Sequence, residues 1–409
     1  MKNKLLKWIA IGILFVISGY AGVISEQPAP AQALEWAQIA AGGQHTVALK
    51  TDGSLWYWGT VLTPSLDKNS GYTLHPSPIQ LLGGNNWKSV ACGELHTVAI
   101  KTDGSLWAWG DNKDGQLGLG DTITRGLPNR VGKDIDWVFV ACGGNHTVAI
   151  KKDGTLWFWG WSFSAQSSIP KKLGNDNNWK FADCGGAFSV ALKTDGSLWT
   201  WGDNQFGQLG LGDHGHDERG FSSKADRSLP TRVGSNNWKF VACGDSHTLA
   251  IKKDGSLWSW GENEDDKLGL NIEKKCSVPQ KDPGIESYCG KCDLCISWLC
   301  ITVPTCVGND NDWESAAGGN IHSIAIKNNG TLCSWGANYW GQLGTGNMNS
   351  ISSPTTGIGA GWKIIDCGFG YGRTMAIRDD GTLWAWGDNR YGQLGLGDTK
   401  QRDTPTQVK

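Results

Sequence analysis

Three observations in the sequence predict an all-β fold, a ring of stacked blades closed into a seven-bladed β-propeller. A unit that starts with Trp occurs seven times, from Trp36, Trp87, Trp137, Trp179, Trp238, Trp313 and Trp362. Each unit has a turn pair between two apolar runs: Asp52-Gly53, Asp103-Gly104, Asp153-Gly154, Asp195-Gly196, Asp254-Gly255, Asn329-Gly330 and Asp380-Gly381. The run after the turn is apolar on both faces. A sheet with one wet face would alternate apolar and polar, so these sheets must be covered on both sides by their neighbours.

The fullest copy covers residues 87–121, WKSVACGELHTVAIKTDGSLWAWGDNKDGQLGLGD. Its Asp-Gly pair predicts a two-residue hairpin with positive φ at both central positions. HTVAIK and SLWAW are then antiparallel partners. Leu106 and Ala108 point to one side of the sheet, Trp107 and Trp109 to the other. The Trp pair recurs in every unit except the sixth, where Cys333 replaces the first Trp before Trp335, and the chain reaches 24 Trp in total. The glycines of Gly-Gln-Leu-Gly-Leu-Gly are read as structural: no Lys-Ser/Thr follows to make a phosphate loop.

The pattern G-x-x-H-T … D-G-[ST]-L-W-x-W-G-x-N-x-x-G-Q-L-G-x-G resembles the RCC1 repeat, the regulator-of-chromosome-condensation family. The resemblance covers nearly everything after residue 35 and implies a seven-bladed propeller. The units do not end in Trp-Asp as WD40 blades do, and they lack the spacing of kelch repeats.

Residues 1–33 are of another kind. Lys2, Lys4 and Lys7 precede an uncharged stretch, residues 8–24, and Ala31-Gln32-Ala33 offers a cleavage site. That order reads as a signal peptide, with an uncleaved N-terminal anchor as the alternative. Residues 34–409 are then the exported propeller. The chain carries 37 basic and 39 acidic residues, and without residues 1–33 the balance is 34 to 38. The basic excess of a nucleic-acid binder is absent.

Six units are preceded by a Pro-bearing strand, starting at Pro78, Pro128, Pro170, Pro230, Pro304 and Pro354. An orphan copy, Pro405-Thr406-Gln407-Val408, ends the chain. Pro cannot donate to a ladder, so these are outer edge strands. The C-terminal strand is expected to supply the first blade's missing strand and so close the ring.

Units one and three lack the Gly-Gln-Leu-Gly tail. Unit four carries a polar insertion, residues 214–228, whose His214, His216, Asp217 and Glu218 are metal-ligand types on a solvated loop. The largest departure is a Cys-rich insertion at residues 262–306, with Cys276, Cys289, Cys292, Cys295, Cys300 and Cys306. The spacing of its last four-Cys run misses an iron–sulfur motif by one residue, and no separated zinc pairs exist. In an exported protein these six are disulfide candidates. Five further cysteines, Cys92, Cys142, Cys184, Cys243 and Cys367, share one repeat position, with Ala41 and Ala317 read as their counterparts, and are expected to be small buried fillers. His45, His96, His146, His247 and His322 share another, taken by Phe188 in unit four and Arg373 in unit seven. Each imidazole is expected to bond backbone at a turn.

No Ser-His-Asp order, nucleophile elbow or H-E-x-x-H motif is present. The family resemblance offers a nuclear exchange factor for a small GTPase, but export and charge balance oppose it and no residue here matches its exchange residues. The family also includes secreted bacterial propellers, one of which inhibits β-lactamases through one face. The reading is a non-enzymatic exported binding or scaffold protein, without cofactor and monomeric, whose partner is a protein or cell-envelope component. Membrane contact is expected only through an uncleaved N-terminus, and nucleic acid is not expected. The alternatives are a metal- or redox-active protein using the Cys-rich loop, and an exchange-factor-like regulator. Tyr288, Trp298, Leu299, Tyr371 and Arg373 are the expected partner-binding residues, since recognition needs asymmetry in a near-symmetric ring.

Overall fold

The computed structural model describes residues 35–62, 71–162, 165–217, 220–221, 225–235, 237–271, 300–370 and 372–409. These residues form seven four-stranded antiparallel sheets, one per unit, and Leu34–Lys409 is one compact unit. In the second blade the strands run Trp87–Cys92, His96–Lys101, Leu106–Gly110 and Arg125–Arg130, paired in that order. The Trp-led strands of all seven blades line an axial cavity of about 280 Å³. The Pro-bearing strands are outermost, as their missing N–H requires.

The seven-bladed ring is as expected, but its frame is shifted. Blade one has its own outer strand, Tyr72–Gln80, and the C-terminal strand Arg402–Gln407 completes blade seven. Each Pro-bearing strand therefore ends the unit before it rather than opening the unit after it. The first and last blades meet by packing and by hydrogen bonds rather than by a shared strand: the backbone N of Trp36 donates to Gly381 O at 3.0 Å, and Ile39, Ala41 and Trp58 share a core with Met375, Leu383 and Val408.

Within a blade the hairpin is wider than a two-residue turn. Lys101 N donates to Ser105 O, Gly104 N donates to Lys101 O, and of the pair Gly104 alone has positive φ, 82°. Asp103 is there for its carboxylate. Its Oδ1 accepts from the N and Oγ of Ser105, and Ser105 Oγ in turn accepts from Trp107 Nε1. The Lys101 ammonium lies 4.7 and 4.5 Å from the Trp87 and Trp107 rings, and the same cation–π stack recurs in other blades.

The two apolar faces meet different neighbours. Leu106 and Ala108 pack on Trp137, Val140 and Trp159 of blade three, while Trp87, Val90 and Ala99 pack on Leu49 and Leu55 of blade one. The shared cysteine position is buried, and its register partner in blade six is Gly318, paired with Ser323, rather than Ala317.

Blades also interlock through their tails. In blade two, Asn112 Oδ1 accepts from Leu117 N, and Asn112 Nδ2 donates to the carbonyls of Asp121 and Ile123, which folds residues 112–121 into a tight loop. The loop lies on blade three. Gln116 O accepts from Trp159 Nε1 and Thr147 Oγ1, both at 2.9 Å. Gly118 (φ 73°) sits so close that an added Cβ would stand 2.8 Å from Trp159 Nε1. Gln208, Lys267, Gln342 and Gln393 present the same carbonyl to Trp260, Trp335, Trp386 and Trp58. Thr60-Val61 and Trp161-Ser162 replace the Asp-Asn pair in blades one and three, and among the described residues neither blade lends such a tail.

Candidate partner-binding face

Antiparallel order puts the connections between strands one and two, and between three and four, at the same end of the ring. The Asp-Gly turns occupy the other end. Every insertion into the repeat attaches to the first end. Residues 63–70, 163–164, 214–224 and 272–299 all leave a third strand and return to an outer strand. The expanded connection of unit seven, residues 368–372, joins strands one and two there as well. One face is thus regular and the other varied.

Tyr288, Trp298, Leu299 and Tyr371, with Cys276, Cys289, Cys292 and Cys295, lie outside the described residues. Cys300 and Cys306 end the outer strand of blade five, Cys300–Cys306. Seven residues of strand span about 20 Å, far beyond disulfide reach, so these two cannot pair with each other. No three metal-ligating side chains converge among the described residues.

Arg373, expected among the partner-binding residues, is buried. It is 2% exposed. Its Nη1 donates to Gly43 O at 2.8 Å, and its Nη2 to the carbonyls of Gly42 and His45 at 2.7 Å each. At five of the other six seams, backbone N–H groups make this link: Gly43 to Glu94, Glu94 to Gly144, Gly144 to Gly186, Gly186 to Asp245, and Asp245 to Gly319. Arg373 carries the belt across the last seam.

The repeat histidines bond across seams rather than to backbone. His45, His96, His146, His247 and His322 place Nε2 2.8–3.2 Å from the hydroxyls of Thr97, Thr147, Ser189, Ser323 and Thr374. Where that hydroxyl already donates to a tail carbonyl, as Thr147 does to Gln116, the imidazole must be the donor. Burial holds His96 down to about 3, and likewise His45, with Arg373 adding its charge. These rings are neutral at physiological pH and serve as connectors. The approach is so tight that a Cβ on Gly93 would lie 2.1 Å from His96 Cε1.

Two carboxyls reach into the axial cavity where five blades have Ala. Asp183 accepts from the backbone N of Cys184 and Cys243, and Asp366 from those of Cys367 and Ala41. Burial pushes them up to about 6 and about 7. Each bridges to the next blade, and blade four needs the bridge because Phe188 makes no imidazole bond. The buried thiols beside them are pushed up as well, Cys92 to about 12, so they act as fillers. The sequence signal for this pair was an acidic residue at an Ala position of the repeat.

This geometry defines a class: a seven-bladed propeller of interlocked blades with one regular and one varied face. The chain belongs to the RCC1-repeat family. Its RCC1-like domain pattern matches residues 17–298, and the RCC1 repeat matches residues 329–377 and 380–409. It is similar to the ultraviolet-B receptor UVR8 of Arabidopsis thaliana, 28% identical over 396 residues, which is 94% of this chain and 73% of the receptor. It is also 29% identical over 377 residues to RUG3, a mitochondrial RCC1 domain-containing protein of the same plant, covering 90% of this chain and 69% of that one. Human WBSCR16 has the same fold (TM-score 0.66, 22% identity, 87% of this chain and 94% of that one). So does yeast RCC1 (Prp20), solved bound to Kap60 (TM-score 0.65, 22% identity, 81% and 78%).

Proposed function

We propose that this chain is a non-enzymatic, exported binding module that acts as a monomer and holds a protein or cell-envelope component on its varied face. The observation that carries the reading is the segregation of every insertion to one end of a ring whose other end repeats. Rigid scaffolds present recognition on such loops. A fold relative, yeast RCC1, was solved bound to Kap60, which fits a ring used for protein contact. Export is supported by the basic–apolar–Ala-Gln-Ala order of residues 1–33, and stapling of the Cys-rich insertion by disulfides belongs to the same reading.

The test is affinity capture from the producing cell's envelope, with the exported protein as bait and its N-terminus, expected at Leu34, read by intact mass. Replacing residues 274–297 by a short Gly-Ser linker leaves Cys300–Cys306 in place as blade five's outer strand. The melting temperature should stay within about 3 °C, because no repeat strand is lost, and capture should fail. Capture at unchanged affinity would reject the insertion as the site. Recovery of only the full-length protein in the cytosol would reject export.

A further inference from the structure

We infer that the seam between blades four and five holds, on the regular face, a binding site for a phosphate monoester carried on a flat apolar body. The site lies at the opposite end of the ring from the insertions and stands apart from whatever the varied face holds.

The sequence sets this seam off from the others. The second residue of the first strand is Lys in both blades, Lys180 and Lys239, and the third is Phe in both, Phe181 and Phe240. Lys253 follows the second strand of blade five. The seam between blades three and four is the natural contrast. It has the same Phe pair, Phe139 with Phe181, but Val138 and Thr194 stand where Lys180 and Lys253 stand here.

First strands start at the regular end, so these side chains gather there beside the Asp195-Gly196 turn. They border a cavity of about 200 Å³. Every residue joined along the chain to one of the lining residues is among the described ones. Buried Leu192 and Trp238 give the cavity apolar lining, and the half-buried rings of Phe181 and Phe240 lie 5.7 Å apart. Gly196 (φ 82°) leaves the room that the Lys253 ammonium uses, since a Cβ there would stand 3.1 Å from Lys253 Nζ.

Charge decides the ligand class. Four lysines line the cavity. Lys193 is held by Asp176 at 2.7 Å and lies over the Trp199 ring, and Lys239 is paired with Glu314. The Asp195 carboxylate of the turn accepts from the N and Oγ of Ser197. Lys180 and Lys253 are exposed and have no acidic partner among the described residues. Two positive charges are left uncompensated, which suits a dianion. A phosphate monoester carries about −1.5 to −2 at pH 7. The planar fork of Arg, which suits carboxylates, is absent from the described lining, and Lys binds phosphate as a point charge. The cavity is smaller than the roughly 300–1,000 Å³ of pockets that enclose a whole drug-sized ligand, so it takes a headgroup and one ring. The Phe pair offers that ring an aromatic surface.

The test is isothermal titration of the whole protein with phenyl phosphate. Saturation with a Kd below about 1 mM is expected. Lys180→Gln and Lys253→Gln change exposed side chains and should leave the melting temperature unmoved. Each should weaken binding about tenfold, the worth of one hydrogen bond to a charged group. Lys88→Gln, at the same repeat position as Lys180 but in blade two, should bind like wild type. Benzoate, with the ring and a single charge, and inorganic phosphate, without the ring, should both bind more weakly than the ester. Absence of saturation at about 10 mM phenyl phosphate would overturn the inference, as would Lys180→Gln and Lys253→Gln proteins that bind like wild type. Equal weakening by Lys88→Gln would overturn it too, because the face would then act as diffuse charge. So would benzoate or inorganic phosphate binding as tightly as the ester. A soluble ester and a lipid headgroup share this chemistry, and co-sedimentation with vesicles of phosphatidylcholine and phosphatidic acid separates them. Co-sedimentation that phenyl phosphate competes away upholds the site with a lipid as its source. Phenyl phosphate binding without co-sedimentation upholds it with a soluble ester.

Discussion

At the seam between the last and first blades, one guanidinium replaces a backbone N–H. Arg373 is buried against the carbonyls of Gly42, Gly43 and His45, and burial pulls it down to about 10, so it is charged at neutral pH. Arg373→Ala leaves the carbonyls of Gly42 and Gly43 without donors, each costing about 1–3 kcal/mol, while His45 O keeps the Gly42 N–H. Denaturant titration should show about 3 kcal/mol or more lost. Arg373→His should recover part, since an imidazole there can reach the Thr46 hydroxyl as His322 reaches Thr374. Unchanged stability of Arg373→Ala would mean that the ring closes without it. The sequence marked Arg373 as exceptional but could not say why. A departure from a repeat signals either an exposed specialisation or a seam, and the two differ only in space. The histidines were legible as belonging to the repeat, while their partners were not. The Thr or Ser that follows each His was the available clue, but it serves the preceding blade.

The strands themselves were legible, because period, turn pair and Pro placement each have a direct physical meaning. The frame was not. A closed ring has no first strand, and a Pro-bearing segment between two units can be assigned to either until the ladders are seen. Arg402–Gln407 pairs with the third strand of blade seven, and Val408 behind it is buried with Trp58 and Leu383. Deleting residues 402–409 should therefore bare an inner strand edge and open the seam core together. Burial of a Val side chain alone is worth about 1.5–3 kcal/mol, and an unpaired edge invites association. A melting temperature lowered by about 5 °C or more, with higher-order species on size exclusion, is the expected outcome. A truncated protein that melts and elutes like the full one would contradict it. The tails were visible in the sequence as a glycine-rich motif, but nothing along the chain says that each lies on the next blade.

At the scale of the ring, the described residues place five tails on seven seams. Blades one and three lend none, so the ring divides into a short arc, blades two and three, and a long arc running from blade four through seven to one. The termini meet inside the long arc, where the Gln393 tail and Arg373 both cross. The short arc is tied to the rest by face packing, by the backbone belt and by the bonds from His45 to Thr97 and from His146 to Ser189. Lines of local opening should follow those two seams, not the chain ends. Native-state hydrogen exchange should show residues 87–172 losing protection as one block before blades one and seven, and early opening of blade seven would refute this. The break between the chain's two ends is thus hidden in the part of the ring that should yield last: the ring is sewn most tightly where it was joined, and its weak lines fall where the thread runs unbroken.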